Sequence, residues 1–377
     1  MKRIGNSFKG ILGGFIAIAI GAVLLWWNEG NNVRNLKTTA EMSKTYIDVS
    51  SEKIDEANEG KLIATSGALI NEKELYDETF NVKIVTPVMK RVVEIYQWEE
   101  NSSTDDDGNT TYSYSKVWSE SIIGSSNFHD KSHVNPATKK YSSEYYQSDD
   151  VRVGAFSLSS SQISTLSTKG EFNRFDMETL TKLNLTASGN YATDSKNLSS
   201  PEIGDTRISF VYNNSTEVSV LAVQKGNSFT DFVSEAGKSV NRVMDGIHSG
   251  SDMINTIKKE NNMLKWILRL VGFLIIATGV GTILKPISAI TSYVPILGSI
   301  VGAAVGLVAF IVGLALSLVV IAVAWIRFRP LLAYALLGAV VVLIVLLIIR
   351  SKNKPAAPEM PVENQTPEEP TNTDNNQ

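Results

Sequence analysis

The run Ile11-Leu-Gly-Gly-Phe-Ile-Ala-Ile-Ala-Ile-Gly-Ala-Val-Leu-Leu-Trp-Trp27 decides how the rest of this chain is read. It carries no charge, and as a helix it is just long enough to cross a hydrocarbon core about 30 Å thick. A secretory signal begins in the same way, after Met1-Lys2-Arg3, but its cleavage site needs small residues. This run ends instead in Trp26-Trp27-Asn28-Glu29, an interfacial aromatic anchor. The chain is therefore expected to keep the segment and to stay fixed to a bilayer.

Three more apolar runs lie far downstream. Trp266–Leu284 has a single charge, Arg269, close enough to its polar start to snorkel towards the headgroups. Tyr293–Ile326 is uncharged throughout, roughly 50 Å of helix at 1.5 Å per residue. It reads as one tilted span after an interfacial turn, with Pro286 and Pro295 expected to break any helix entering it. Leu331–Ile349 is the last. The resulting plan has a cytoplasmic start (1–10) and spans at 11–27, 266–284, 293–326 and 331–349. A β-rich extracytoplasmic domain (28–227) and an amphipathic connecting helix (228–265) lie between the first two spans, and a disordered tail (350–377) closes the chain. The basic residues Lys2, Arg3, Lys9, Lys285, Arg350, Lys352 and Lys354 share one side, against Arg327 and Arg329 on the other, which places both termini in the cytoplasm.

Between Asn28 and Lys265 the chain has 25 Lys and Arg against 34 Asp and Glu, a net charge of nine negative, which does not suit nucleic acid or anionic lipid. With no cysteine in 377 residues, disulfides and thiolate chemistry are excluded, so the domain relies on its core. Lys61–Ile70 and Val82–Glu100 are rich in β-branched and aromatic residues, and Tyr112, Tyr114, Trp118 and Ile122 fall at even spacing. Asn101–Asn109 suits the loop of a long hairpin, and Thr206–Tyr212 with Glu217–Gln224 around Asn213-Asn214-Ser215 reads as a second. From Phe229 through Phe232, Ala236, Val240, Val243, Ile247, Ile254 and Ile257 to Leu264 the apolar spacing turns helical, with Gly246 and Gly250 expected to interrupt once. The fold class expected is an α+β membrane protein with four transmembrane helices, one N-terminal and three C-terminal. A large, mainly antiparallel β domain outside the cytoplasm and an amphipathic connecting helix complete it.

Several residues invite a chemical reading. His129 and His133 would share one face of a helix, but Asn135-Pro136 follows and no third ligand is indicated, so a loop is expected and a metal site is not. His248 reads as a surface or partner-facing residue of the connecting helix. Glu94 and Glu100 share a strand face with Tyr96 and Trp98 while Glu99 points away, which describes an aromatic ladder edged by charge better than paired catalytic acids. Tyr96, Trp98, Tyr112, Tyr114 and Trp118 are thus cross-strand packing or a partner face. Gly298, Gly302 and Gly306 repeat at four-residue spacing, a stripe on which another helix can pack, either from the same chain or from a neighbour. The spans have no central Asp, Glu, His or Lys of the kind transport and proton relay use. Asn101, Asn109, Asn184, Asn197, Asn213 and Asn214 begin glycosylation sequons that would matter only in a eukaryotic lumen.

A family resemblance rests on Trp27-Asn28-Glu29-Gly30, Val93-Glu94-Ile95-Tyr96-Gln97-Trp98-Glu99-Glu100, Tyr112-Ser113-Tyr114 with Trp118, and Asn127-Phe128 before Asn135-Pro136. Together with Trp325-Ile326-Arg327-Phe328-Arg329-Pro330-Leu331 and the one-plus-three layout, these resemble the transmembrane protein 43 (LUMA) family from Gly10 to about Arg350. The resemblance implies an integral membrane protein that organises membrane protein complexes and self-associates, with suggested links to lipid metabolism. Its members lie in the endoplasmic reticulum and inner nuclear membrane of animals or, for bacterial members, the bacterial inner membrane. It carries over no catalytic residue and no cofactor. The function expected is a non-enzymatic multi-pass scaffold whose partners are the lipid bilayer, other membrane proteins and copies of itself. The alternative is an accessory protein or enzyme of membrane lipid metabolism.

Overall fold

Past Trp27 the sequence offers nothing to stop a helix: no proline appears before Thr45, and one continuous helix runs over Lys2–Thr45. The computed structural model describes residues 2–104, 109–291 and 295–331, with Tyr334, Val342 and Val345. It divides into Met1–Ile321 and Ala322–Gln377. A second long helix, Gly250–Thr291, returns antiparallel to the first. The two touch from Gly14 against Gly279, through Gly21 against Gly272 and Asn35 against Asn261, to Tyr46 against Gly250. From Gly14 to Tyr46 is about 48 Å of helix, more than the ~30 Å of a hydrocarbon core, so the pair continues beyond the bilayer as a stalk.

Glycine makes this approach possible. A Cβ on Gly14 would lie 2.6 Å from the carbonyl oxygen of Gly279, and one on Gly279 would lie 2.7 Å from that of Gly14. Gly21 and Gly272 repeat the arrangement seven residues along, with Ile276 and Leu25 filling the gaps. Where the pair leaves the apolar stretch, Arg269 does not snorkel. Its Nε donates to Glu29 at 2.7 Å, and the Glu29 side chain is only 1% exposed. Pairing answers the desolvation of both groups more directly than reaching for headgroups. Beside it, the Asn28 amide donates to the carbonyl of Lys265.

Three helices, Gly10–Thr45, Gly250–Pro286 and Ala304–Phe328, are long and apolar enough to cross a membrane. The last belongs to a helix over Pro295–Phe328, which meets the return helix through Gly313 against Ala277. Pro286 does not break its helix, which continues to Thr291. A proline near the end of a membrane helix removes one hydrogen bond that neighbouring groups can replace. Of the expected fourth span, only Leu331, Tyr334, Val342 and Val345 are described, and the tail lies outside the described residues.

The β domain begins at Ile47 rather than just after the first span, because the stalk takes the intervening residues. Its first sheet centres on Leu62–Ile70, flanked by Glu217–Lys225 antiparallel and Ile47–Ser50 parallel. Both faces of this sheet are buried. Ile63, Val218 and Val220 point into one core with Val153, Phe156 and Phe229. Leu62, Ala64 and Leu221 point into another, against Met42, Met253 and Ile254 of the helix pair. The second sheet centres on the seventeen-residue strand Val88–Thr104, with Thr206–Tyr212 on one edge and Glu144–Gln147 followed by Thr110–Ser119 on the other. Its core holds Phe80, Met89, Val93, Leu180, Ile208 and Phe210.

Two expectations give way here. Thr206–Tyr212 and Glu217–Lys225 do not form a hairpin, since the first belongs to the second sheet and the other to the first. Asn213 holds the crossing open: its N–H donates to the Val88 carbonyl, its amide to Ser167. Asp245 then accepts from Ser167, from Ser215 and from Lys169, tying both crossovers to one carboxylate. Burial is the largest single influence on this carboxyl and pushes its pKa up, but the hydrogen bonds from Ser167, Ser215 and Lys169 together hold it below the usual carboxylate range.

Nor is 228–265 one amphipathic helix. Ser228–Thr230, Phe232–Val233, Ser239–Val240 and Arg242–Asp245 are short strands, and helix begins only at Gly250. Within it Gly237 and Gly246 have positive φ (73° and 84°), which cuts the segment into turns that no helix can bridge. His248 sits in the last of these turns, its N–H donating to Ser219 Oγ and its Nε2 2.9 Å from the Asp245 carbonyl oxygen.

The long strand is fixed at its start by a buried ion pair. Arg91 donates to Asp77 at 2.5 Å and to Glu144 at 2.7 Å, and Asp77 also accepts from the hydroxyl of Tyr146 and the N–H of Phe80. Asp77 has no exposed side-chain surface. Replacing Arg91 with Met leaves that carboxylate buried with its countercharge gone and is expected to cost about 3–5 kcal/mol in chemical unfolding. In the membrane, Gly279→Leu is expected to lower thermal stability in detergent through overpacking of about 1–3 kcal/mol or more. Gly306→Leu, where a Cβ meets nothing within 4 Å, should leave the melting temperature unchanged.

Candidate partner face on the long hairpin

The side chains of a strand alternate, so Glu94, Tyr96, Trp98, Glu100 and Ser102 emerge on one face of Val88–Thr104. Register sets Tyr96 opposite Trp118, Trp98 opposite Lys116, Glu100 opposite Tyr114 and Ser102 opposite Tyr112. The neighbouring strand puts Arg207 opposite Glu94, and the two form a bidentate pair at 2.6 and 3.0 Å. The Arg207 guanidinium lies 4.7 Å from the Trp118 ring, Tyr96 and Trp118 are 5.1 Å apart, and the Lys116 ammonium lies 4.9 Å from Trp98. All five aromatic residues singled out from the sequence therefore stand together, interleaved with charge.

The segment after Ser119 folds back over them. Ser121 and Ile123 are held by the side chain of Gln97, which alternation puts on the opposite face. The chain then passes the edge of the long strand, where Asn135 substitutes for a missing strand. Its Oδ1 accepts from the N–H of Trp98 at 2.7 Å and its Nδ2 donates to the Trp98 carbonyl at 2.8 Å. Nothing in the sequence marked Asn135 for this beyond its place before Pro136, which favours extended backbone there.

Between these anchors the two histidines become aromatic spacers. His133 stacks on Tyr114 at 3.9 Å with its edge towards Trp98, and His129 stacks on Tyr112 at 4.2 Å. Each imidazole thus has its own tyrosine, and among the described residues no group of three or more His, Cys, Asp or Glu is placed to hold a metal. Glu100 accepts from the hydroxyl of Tyr114 and the N–H of His129, while the Tyr114 oxygen accepts from the N–H of Asp130. The Tyr114 hydroxyl, more than any other group, holds the Glu100 pKa below the usual carboxylate range. Partial burial, and then Glu100, push the Tyr114 phenol up. Asp130 is held low by the backbone N–H of Ser132. The segment is a latch that roofs Trp98 and Tyr114 and leaves Tyr112 39% exposed. Glu94 and Glu100, once candidate acids, are occupied as ion-pair and hydrogen-bond acceptors. Of the glycine stripe, Gly306 looks into open space, and the surroundings of Gly298 and Gly302 lie outside the described residues.

These features define an integral membrane protein with three candidate membrane helices and a large, mostly antiparallel β domain carried on a helical stalk. A family model described as Transmembrane protein 43 matches residues 95–330, and the chain belongs to that family. It is 28% identical over 376 aligned residues to Transmembrane protein 43 of Homo sapiens, covering 93% of this chain and 92% of that protein. It is 27% identical to the Rattus norvegicus protein of the same name over the same shares, and 26% identical to the Drosophila melanogaster Transmembrane protein 43 homolog over 86% of this chain and 90% of that protein. No solved structure matches.

A carboxylate with a depressed folded pKa contributes stability that is present above its unfolded pKa and lost as pH falls through the folded one. Glu100 and Asp130 should therefore hold the latch above about pH 4, the ordinary carboxylate range, and release it in stronger acid. Hydrogen exchange of the 125–134 backbone should rise several-fold on acidification once corrected for intrinsic rates. Glu100→Gln should show that faster exchange already at neutral pH.

Proposed function

We propose that this protein is a non-enzymatic multi-pass membrane scaffold that gathers other membrane proteins or copies of itself on its extracytoplasmic domain. The observation that carries this reading is the unbroken helix on each side of the stalk. The first helix ends at Thr45 and the domain starts at Ile47, while the return helix starts at Gly250 only five residues after the strand Arg242–Asp245. Such a junction has no long flexible linker to let the domain turn freely. The domain therefore keeps its height and direction relative to the bilayer, a property of use for presenting a surface. The aromatic and charged hairpin face supplies a surface to present, with Tyr112 at its open end. In the bilayer, the glycine at 306 offers a place for a neighbouring helix, in line with the stripe it shares with Gly298 and Gly302. With both termini cytoplasmic, the domain faces the lumen of the endoplasmic reticulum and nuclear envelope, or the periplasm in a bacterial cell.

The mass of the purified protein in lipid nanodiscs tests the reading. Wild type is expected as an oligomer, and Gly306→Leu is expected to shift it towards the monomer while leaving its thermal stability unchanged. A wild type recovered as a monomer, and alone when purified from native membranes, would overturn the scaffold.

A further inference from the structure

Most sheet-end strands of this domain are short. Ser228–Thr230, Phe156–Ser157 and Thr186–Ser188 are two or three residues long, a common way to keep sheet edges from pairing with other chains. Thr110–Ser119 is different. It closes the second sheet with ten residues, contains no proline or glycine, and has one charged side chain, Lys116. The partner strand's backbone groups at Ile95, Gln97, Glu99, Asn101 and Ser103 point towards it, because those of Tyr96 and Trp98 are used on the opposite edge by Asp205, Gly204 and Asn135. By alternation, the N–H and C=O groups of Tyr112, Tyr114, Lys116 and Trp118 point outward, away from the sheet. The latch covers one face of this hairpin and passes around the far edge of Val88–Thr104, so it leaves the outer edge of Thr110–Ser119 clear.

We propose that this edge is where two copies of the chain join, strand to strand and antiparallel, about a two-fold axis through Ser115. The register follows from the residues. Centring on Ser115 puts Tyr112 opposite Trp118 and Tyr114 opposite Lys116, each pair occurring twice. These are the residues whose backbone groups point outward, so the four pairs together exchange about eight hydrogen bonds. Aromatic against aromatic and cation against aromatic are favourable cross-strand neighbours. The same register puts the partner copy's lysine in the row already formed by Tyr114 and Glu100, so opposite charges share one face. Centring one residue further, on Lys116, would oppose two lysines directly and is disfavoured. The other face of the joined strands would be lined by Thr111, Ser113, Ser115 and Val117, of which the first three are exposed here and need no further cover. The proposal deepens the scaffold reading by naming where copies meet.

The chain has no cysteine, so one introduced thiol reports one position. At the centre of the register, Ser115 faces its own copy in a pair without hydrogen bonds, Cα atoms about 4.5 Å apart, within disulfide reach. Ser113 faces Val117 of the other copy and lies about 13 Å from its own counterpart, out of reach. Full-length Ser115→Cys in native membranes under mild oxidation is expected to give a disulfide dimer several-fold more abundant than Ser113→Cys gives. Adding Lys116→Glu, which sets a carboxylate in the row with Glu100, is expected to reduce that dimer. Equal cross-linking at Ser113 and Ser115, or none at Ser115, would overturn the proposal. Oligomers in nanodiscs without a Ser115 disulfide would overturn this edge and leave the scaffold standing. Monomers in nanodiscs would overturn this edge, and would overturn the scaffold as well when the protein is also recovered alone from native membranes.

Discussion

Everything in this molecule hangs on how closely two helices can approach inside the bilayer. Gly14 and Gly21 on the first helix and Gly272 and Gly279 on the second remove the side chains that would hold the backbones apart, so each backbone lies against its partner's carbonyl oxygens. In hydrocarbon the hydrophobic effect gives helices no reason to associate, and close packing must supply the attraction. Once aligned, the pair continues past the membrane and places Met42, Met253 and Ile254 under one face of the first sheet. The stalk is thus part of the domain's core as well as its tether.

The two sheets have separate cores, bridged by Val88, which starts the long strand but packs into the core of the first sheet, and polar groups hold the crossings between them. Asn213 and Asp245 hold the chain where it leaves one sheet for the other, with Ser167 and Ser215 supplying hydroxyls to a single carboxylate. The second sheet is pinned at the start of its long strand by Arg91 and Asp77, and further along by the amide of Asn135. The aromatic face runs from Glu94 through the second anchor at Trp98 and on to Ser102. Its rings are locked by stacking and by hydrogen bonds to Glu100, so the face has a fixed shape for whatever meets it.

Much of this was legible in the residues. The first two apolar runs, the long strand with its partner and the gathering of Tyr96, Trp98, Tyr112, Tyr114 and Trp118 follow from period and spacing. Family membership was carried by short motifs, several of which lie on that hairpin and its latch. Less legible were the features that depend on partners distant in sequence. The glycines that mattered most for the described packing were those of the first span and its return helix, not the denser stripe at Gly298, Gly302 and Gly306, because spacing cannot tell which face meets another helix. The segment after Ser228 shows helical spacing, but two left-handed glycines, Gly237 and Gly246, divide it, and before Gly250 Phe229, Phe232, Val240 and Val243 lie on short strands.

The sequence by itself determined that this chain is held in a membrane, that it carries a large cysteine-free β domain, and which aromatic residues share one face. Charge-free length, the absence of thiols and two-residue alternation are local properties, so they survive any arrangement of the rest. Only the tertiary structure decided that the first helix extends as a stalk, that Thr206–Tyr212 and Glu217–Lys225 part company into two sheets, and that His129 and His133 stack on Tyr112 and Tyr114. Those outcomes turn on which distant group satisfies a buried backbone or a charge, and that competition is settled only when the elements are packed together.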